Sequence, residues 1–155
     1  MKIIQRTEVA ELAAKLKSQG KKLVFTNGCF DILHVGHVRY LNAARELGDC
    51  LIVGLNSDAS VRQLKGLTRP VNTEDDRAEV LAALACIDYV LVFSEETAES
   101  LVAEIRPDIY AKGGDYSVDR LPEAKVVDTY GGSTVLLPEV AGRSTTNLIR
   151  KMTTP

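Results

Sequence analysis

Five short apolar runs recur along the chain, each too brief for a buried helix: "KLVFT" at 22–26, "CLIVGLN" at 50–56, "YVLVF" at 89–93, "DIYAK" at 108–112 and "STVLLP" at 133–138. Unbroken runs of this length suit strands covered on both faces, as parallel strands are. Helical patterns fill the gaps. Residues 8–18 put Val9, Leu12, Ala13 and Leu16 on one face, with Thr7 as N-cap and Gly20 as stop. Residues 36–47 turn Val38, Leu41, Ala44 and Leu47 inward before Gly48. Asp58 caps a short helix through Gln63, and "KGLTRPVN" reads as loop. Thr73, followed by Glu74, Asp75 and Asp76, is a strong helix start whose acids complement the N-terminal dipole, with Val80, Leu81 and Leu84 inward. A helix over 97–105 ends at Pro107, and a last one runs from Ser144 to about Met152, leaving a frayed tail at 153–155. The alternation predicts an α/β fold, a Rossmann-like doubly wound parallel five-stranded sheet with helices on both faces. It is read as one domain over 1–155, with 1–20 as an N-terminal helix. Ligands bind such sheets beyond the carboxyl ends of the strands.

Composition narrows the function. A net charge of −2 argues against a broad basic face for nucleic acid. Cys29, Cys50 and Cys86 lack metal-type spacing, and an odd count without a secretory context suggests reduced thiols. The first twenty residues contain acids and no signal-peptide apolar block, and no run approaches a membrane span of roughly 18 apolar residues. A cytoplasmic protein without a membrane or nucleic-acid partner is expected.

The stretch "TNGCFDILHVGH", Thr26–His37, holds both histidines of the chain, His34 and His37, at the turn from the first strand into the next helix. At i, i+3 both imidazoles can point one way from the helix N-terminus, and Gly36 leaves room for a phosphate against free N–H groups. A metal site would want a third ligand, with Asp31 the spare candidate; structurally satisfied imidazoles are the remaining reading. The glycine-flanked placement favours the anion site. A second such site is "GRSTTNLIRK", where Gly142 and Arg143 precede Ser144, Thr145 and Thr146 at a helix start. A hydroxyl there can be only an N-cap, but Arg143 adds a planar fork of donors. Walker and GxGxxG patterns are absent.

"GCFDILHVGH" matches the GxFDxxHxGH signature of the cytidylyltransferase-like nucleotidyltransferases, and "GRSTT" resembles their second signature. Cytidylyl-transferring members carry an arginine a few residues earlier, about where this chain has Glu139. Together "TNGCFD", "LIVGLNSDASVRQLKG", "RPVN", "DRAEVLAAL" and "KGGDY" resemble the adenylyltransferase branch of bacterial ADP-heptose synthesis, from about Val9 to Met152. That branch exists as a separate enzyme and as the C-terminal half of a kinase fusion.

The resemblance implies transfer of AMP from ATP to a sugar 1-phosphate, D-glycero-β-D-manno-heptose 1-phosphate, with Mg²⁺ held mainly by phosphates and water and with no protein metal ligand. It implies His34 and His37 on the α- and β-phosphates, with Gly36 between them. Ser144, Thr145 and Thr146 would hold the β- and γ-phosphates beside Gly142 and Arg143. Lys65 would reach the phosphates from a flexible loop, and Arg77 would contact phosphate or pair with an acid such as Glu74. Thr26, Asn27, Gly28 and Phe30 would line the floor. Gly113 and Gly114 would meet adenine or ribose. Asp31, Asn56, Lys112 and Asp115 would serve the acceptor, Asp31 by orienting a neighbour or a sugar hydroxyl. A homodimer is expected. Two rivals stand beside this reading: a CTP-dependent enzyme acting on a small alcohol phosphate such as glycerol 3-phosphate, and a non-catalytic nucleotide-binding module.

Overall fold

The sheet forms around the expected runs. The structure, a computed structural model, describes residues 1–114, 117–139 and 142–155. The strands are β1 (Leu23–Gly28), β2 (Cys50–Asn56), β3 (Tyr89–Phe93), β4 (Ile109–Gly113) and β5 (Ser133–Leu137). The helices are α1 (Val9–Ser18), α2 (Val35–Glu46), α3 (Asp58–Lys65), α4 (Glu74–Ala82), α5 (Glu99–Ile105), α6 (Pro122–Thr129) and α7 (Thr145–Thr153). All neighbours pair in parallel, in the order β3-β2-β1-β4-β5. The winding reverses between β1 and β4, which makes that edge the topological switch point.

Strand alternation sends side chains to two separate cores. Leu23, Phe25, Ile52 and Leu91 pack with Val9 and Ala13 of α1, Leu101, Val102 and Ile105 of α5, and Val127 of α6. Val24, Leu51, Val53 and Val90 pack on the opposite face with Leu41 and Ala44 of α2 and Ala78 and Leu81 of α4. The helices thus divide between the faces as right-handed crossovers require.

Several local details differ from expectation. β1 runs two residues further, through Asn27 and Gly28, because both still pair with β2. Thr7 lies inside a short 3₁₀ turn over Arg6–Glu8, so α1 starts at Val9. Ser57, not Asp58, caps α3 by accepting the Ser60 N–H at 3.2 Å. Lys65 is the last residue of α3 rather than part of a loop. Val80 is 51% exposed, because α4 faces the sheet along Ala78 and Leu81. The helix α6 was not anticipated, although Pro122 at its start, buried Ala124 and Val127, and Gly131 beyond its end are ordinary helix signals. No helix among the described residues is long and apolar enough to cross a membrane.

Candidate active site

β1 and β4 pair at only two positions, Val24 with Ile109 and Phe25 with Tyr110. Beyond them side chains take over from the ladder. The Tyr40 hydroxyl, from α2, donates to the Ala111 carbonyl at 3.0 Å and shares a hydrogen bond with Thr26 Oγ1. Tyr110 Oη donates to Asn27 Oδ1 at 2.6 Å, and Lys112 Nζ to the Asn27 carbonyl at 3.2 Å. A cleft of about 640 Å³ opens over this parting, a size suited to a substrate-scale ligand.

Its lining unites the two predicted motifs. His34, Gly36 and His37 come from the start of α2, and Arg143, Ser144, Thr145 and Thr146 from the start of α7. Gly36 makes their close approach possible: a Cβ there would lie 2.8 Å from His34 Cε1 and 3.2 Å from Arg143 Cβ. Ser144 caps α7 by accepting the Asn147 N–H at 3.1 Å, and Thr145 Oγ1 donates to the Ile32 carbonyl at 3.0 Å. Gly142, at φ +72°, supplies the turn into α7.

The imidazoles are locked by the backbone. His34 is the N-cap of α2, and its Nδ1 accepts the Gly36 N–H at 3.0 Å. His37 Nδ1 accepts the His34 N–H at 3.4 Å. The rings stack with centroids 3.9 Å apart. An Nδ1 that accepts leaves the proton of a neutral ring on Nε2, so hydrogen-bond geometry assigns both rings as Nε2–H donors. Charge state agrees with this assignment. Burial, and then the neighbouring His34, push His37 down to about 4; burial, and then Arg143, lower His34. Phe30 sets its ring edge-on to His37 with centroids 5.4 Å apart. It does so from a left-handed backbone, φ +44°, a strain that clusters at functional sites.

Other predicted residues take different places. Thr26 is fully buried and bonds Tyr40 instead of lining the floor. Gly28 accommodates the Phe30 ring, since a Cβ would lie 2.9 Å from it, and Gly113 likewise makes room for the Tyr40 ring. Both glycines still line the cleft, as do Asn27, Phe30 and Gly114. Arg77 is 2% exposed and does not face the cleft. Its guanidinium donates to the carbonyls of Cys29, Asn56 and Asn72 and to Asp58 Oδ1, tying three loops together beneath the site. The partner acid is thus Asp58 rather than Glu74.

Asp31 is similarly committed. It pairs with Arg69 at 2.7 Å and accepts the N–H groups of Val71 and Asn72. Burial pushes its carboxyl up, but these bonds outweigh it and hold the group below its ordinary value. It therefore orients the loop after α3, the neighbour-orienting half of the expectation. Asn56 lines the cleft with its amide bonded to Ser60 Oγ. Lys65 reaches the cleft from the end of α3. Lys112 lines it too; burial lowers its pKa, partly offset by Glu123. Asp115 lies outside the described residues. The structure adds residues that the sequence did not single out: Tyr40, Arg69, Glu96, Thr97, Arg120 and Glu123. Tyr40 stood three residues past His37 on the same helix face; the others meet the cleft only through tertiary contacts.

A family model described as cytidylyltransferase-like matches residues 25–142, from β1 to the turn before α7. The chain belongs to the cytidylyltransferase-like family. Among curated relatives, the bifunctional protein HldE of Geobacter sulfurreducens is 55% identical over 93% of this chain and 29% of that protein. Its counterpart in Trichlorobacter lovleyi is 52% identical over 97% of this chain and 31% of that protein. The chain thus spans about three-tenths of the length of these relatives. A solved structure of the lipopolysaccharide core biosynthesis protein from Thermoplasma volcanium superimposes with a TM-score of 0.64 at 28% identity, covering 78% of this chain and 98% of that one.

Proposed function

We propose that this domain is a nucleotidyltransferase that moves AMP from ATP to D-glycero-β-D-manno-heptose 1-phosphate, giving ADP-heptose and pyrophosphate for heptose-containing glycans such as lipopolysaccharide. The observation that carries the reading is the pair of stacked imidazoles, each locked by a backbone N–H so that its Nε2–H serves as donor. The matches to HldE proteins and to a lipopolysaccharide core biosynthesis protein support the heptose acceptor.

The chemistry asks for such donors. A sugar 1-phosphate is an oxyanion near neutrality, with a second pKa of about 6, so its attack needs no general base. One of its oxygens forms a bond to the α-phosphorus of ATP. The bond from that phosphorus to the bridging oxygen breaks, and its electron pair leaves with pyrophosphate. The protein must align the partners and offset charge gathering on the α- and β-phosphates. Neutral Nε2–H donors on His34 and His37 do this without giving up a proton. The N–H groups in the first turns of α2 and α7, the hydroxyls of Ser144, Thr145 and Thr146, and the charges of Arg143 and Lys65 extend the cradle. Lys112 would meet the acceptor's phosphate.

Mg²⁺ would arrive with ATP and neutralise phosphate charge. Among the described residues no cluster of three His, Cys, Asp or Glu side chains suited to a metal occurs, and Asp31 already bonds Arg69 and the Val71 and Asn72 N–H groups. Phosphate oxygens and water suit this ion's preferences. Use of ATP supports a cytoplasmic setting, and a homodimer rests on family resemblance; light scattering tests the latter.

Pyrophosphate release measured with Mg²⁺, each nucleoside triphosphate and each acceptor tests the function. Release with ATP and heptose 1-phosphate is expected. Release only with CTP and glycerol 3-phosphate would replace the proposal with the cytidylyl reading, and no release in any combination would leave a binding module.

A further inference from the structure

The cleft has two walls. The wall already described starts at α2, which packs through Leu41 and Ala44 on one face of the sheet. The opposite wall comes from the starts of α5 and α6, which pack on the other face. It contributes Glu96, Thr97, Arg120 and Glu123. Glu123 stands out within it. The residue is 6% exposed yet lines the cleft. Its Oε1 accepts the Ala98 N–H at 3.0 Å, and among the described residues no donor reaches its Oε2. Lys112 lines the same cleft.

A carboxylate in this position suits one kind of ligand group. It repels phosphate, so this wall is a poor seat for the triphosphate. It accepts O–H donors strongly, because a hydrogen bond to a charged, partly desolvated acceptor is about twice as strong as a neutral one. Oε2 faces the cleft with no donor from the described residues, so a ligand hydroxyl can supply one. Lys112, which lines the same cleft, can take the acceptor's phosphate while Glu123 takes the hydroxyls, so two opposite charges would register the two ends of one small molecule. We propose that Glu123, through Oε2, is a specificity-determining residue that accepts hydroxyl hydrogens from the sugar ring of the acceptor. The inference rests on the acceptor being a sugar 1-phosphate.

The test substitutes Glu123→Gln, whose amide oxygen can still accept the Ala98 N–H. Kinetics with ATP and heptose 1-phosphate are run beside calorimetric titration of both proteins with heptose 1-phosphate, mannose 1-phosphate, glycerol 3-phosphate and inorganic phosphate. The variant is expected to raise the acceptor KM about tenfold, the worth of one charge-assisted hydrogen bond, with the ATP KM within about twofold. Sugar phosphates should lose affinity while inorganic phosphate does not. A merely structural carboxylate would lower Tm and weaken every ligand alike, and that result overturns the inference. A rise confined to the ATP KM would assign Glu123 to the ribose or base and overturn it too, as would unchanged sugar-phosphate binding. If the unsubstituted protein binds sugar phosphates but does not turn them over with ATP, the proposed reaction falls while Glu123 is still judged by the titrations. If it binds none of them, both fall.

Discussion

Two helix N-termini meet on one side of the cleft, and they are built differently. α2 begins with an imidazole as its cap, buries Leu41 and Ala44, and is pinned by the Tyr40 hydroxyl at the parting of β1 and β4. α7 begins with an ordinary serine cap, buries none of its nine residues, and meets the first motif through the Thr145 bond to Ile32 and the packing of Arg143 over Gly36. The first terminus is suited to hold donors in fixed register, which is where catalysis gains most. The second brings charge and N–H groups on an element with little buried surface, the kind that opens at low free-energy cost. Substitutions at the first should therefore act on turnover, and at the second on ATP binding.

The largest effect should come from His37→Ala. Loss of one preorganised transition-state donor lowers kcat by about 10²–10³. The fold should survive, because the ring is a partly buried surface of the cleft rather than a core group. Steady-state kinetics and a thermal melt check both halves. Turnover within a few-fold of normal would break the contrast between the two termini at its stronger side.

Next in size is Arg77→Leu. The side chain donates to three carbonyls and Asp58 from a 2% exposed position, so its removal orphans buried acceptors. We expect a loss of about 3 kcal/mol in stability, read by urea denaturation. A raised ATP KM at unchanged stability would instead return Arg77 to the nucleotide. Arg143→Ala comes after it. It should raise the ATP KM about tenfold with a smaller change in kcat, since it removes a phosphate-facing charge from the lightly held terminus. An equal fall in kcat and kcat/KM would mean that α7 acts in the transition state as strictly as α2 does.

What could be read from the sequence follows the same divide between local and distant causes. The five strands and the His34–His37 turn were legible because apolar runs and i, i+3 spacing are local signals. The meeting of α2 and α7 was legible in outline, since both starts follow strands at the same sheet edge. The function of individual glycines was not. Gly28 and Gly113 look like room for a ligand, yet each makes room for an aromatic ring, Phe30 or Tyr40, that only the fold brings near. Arg77 reads as a phosphate ligand for the same reason: its carbonyl partners at Cys29 and Asn56 are 48 and 21 residues away. Glu123 was missed together with α6, although Pro122 and Gly131 mark that helix. Its contact with Ala98, 25 residues distant, leaves no local trace.

The smallest effect on turnover is expected from pH, and the sign of the accompanying stability change sharpens the account of α2. His37 is pushed down to about 4 by burial and by the neighbouring His34 ring, against about 6.5 in an unfolded chain. Between those values the unfolded state binds the proton and the folded state does not. Stability should therefore be fully present above pH 6.5 and should fall as pH drops towards 4. Turnover should show no histidine step from about pH 6.5 to 8, because both rings stay neutral Nε2–H donors there and the acceptor phosphate, with a pKa near 6, is already mostly ionised. A pH–kcat profile from pH 5 to 9, compared with ¹H–¹⁵N spectra of the imidazoles, checks this. An imidazole that titrates near 6.5 in step with kcat would mean that a charged ring, rather than a backbone-locked neutral donor, meets the reacting phosphate. The Gly36 and His34 N–H bonds to Nδ1 would then have to break on binding, because a protonated ring has no lone pair to accept them.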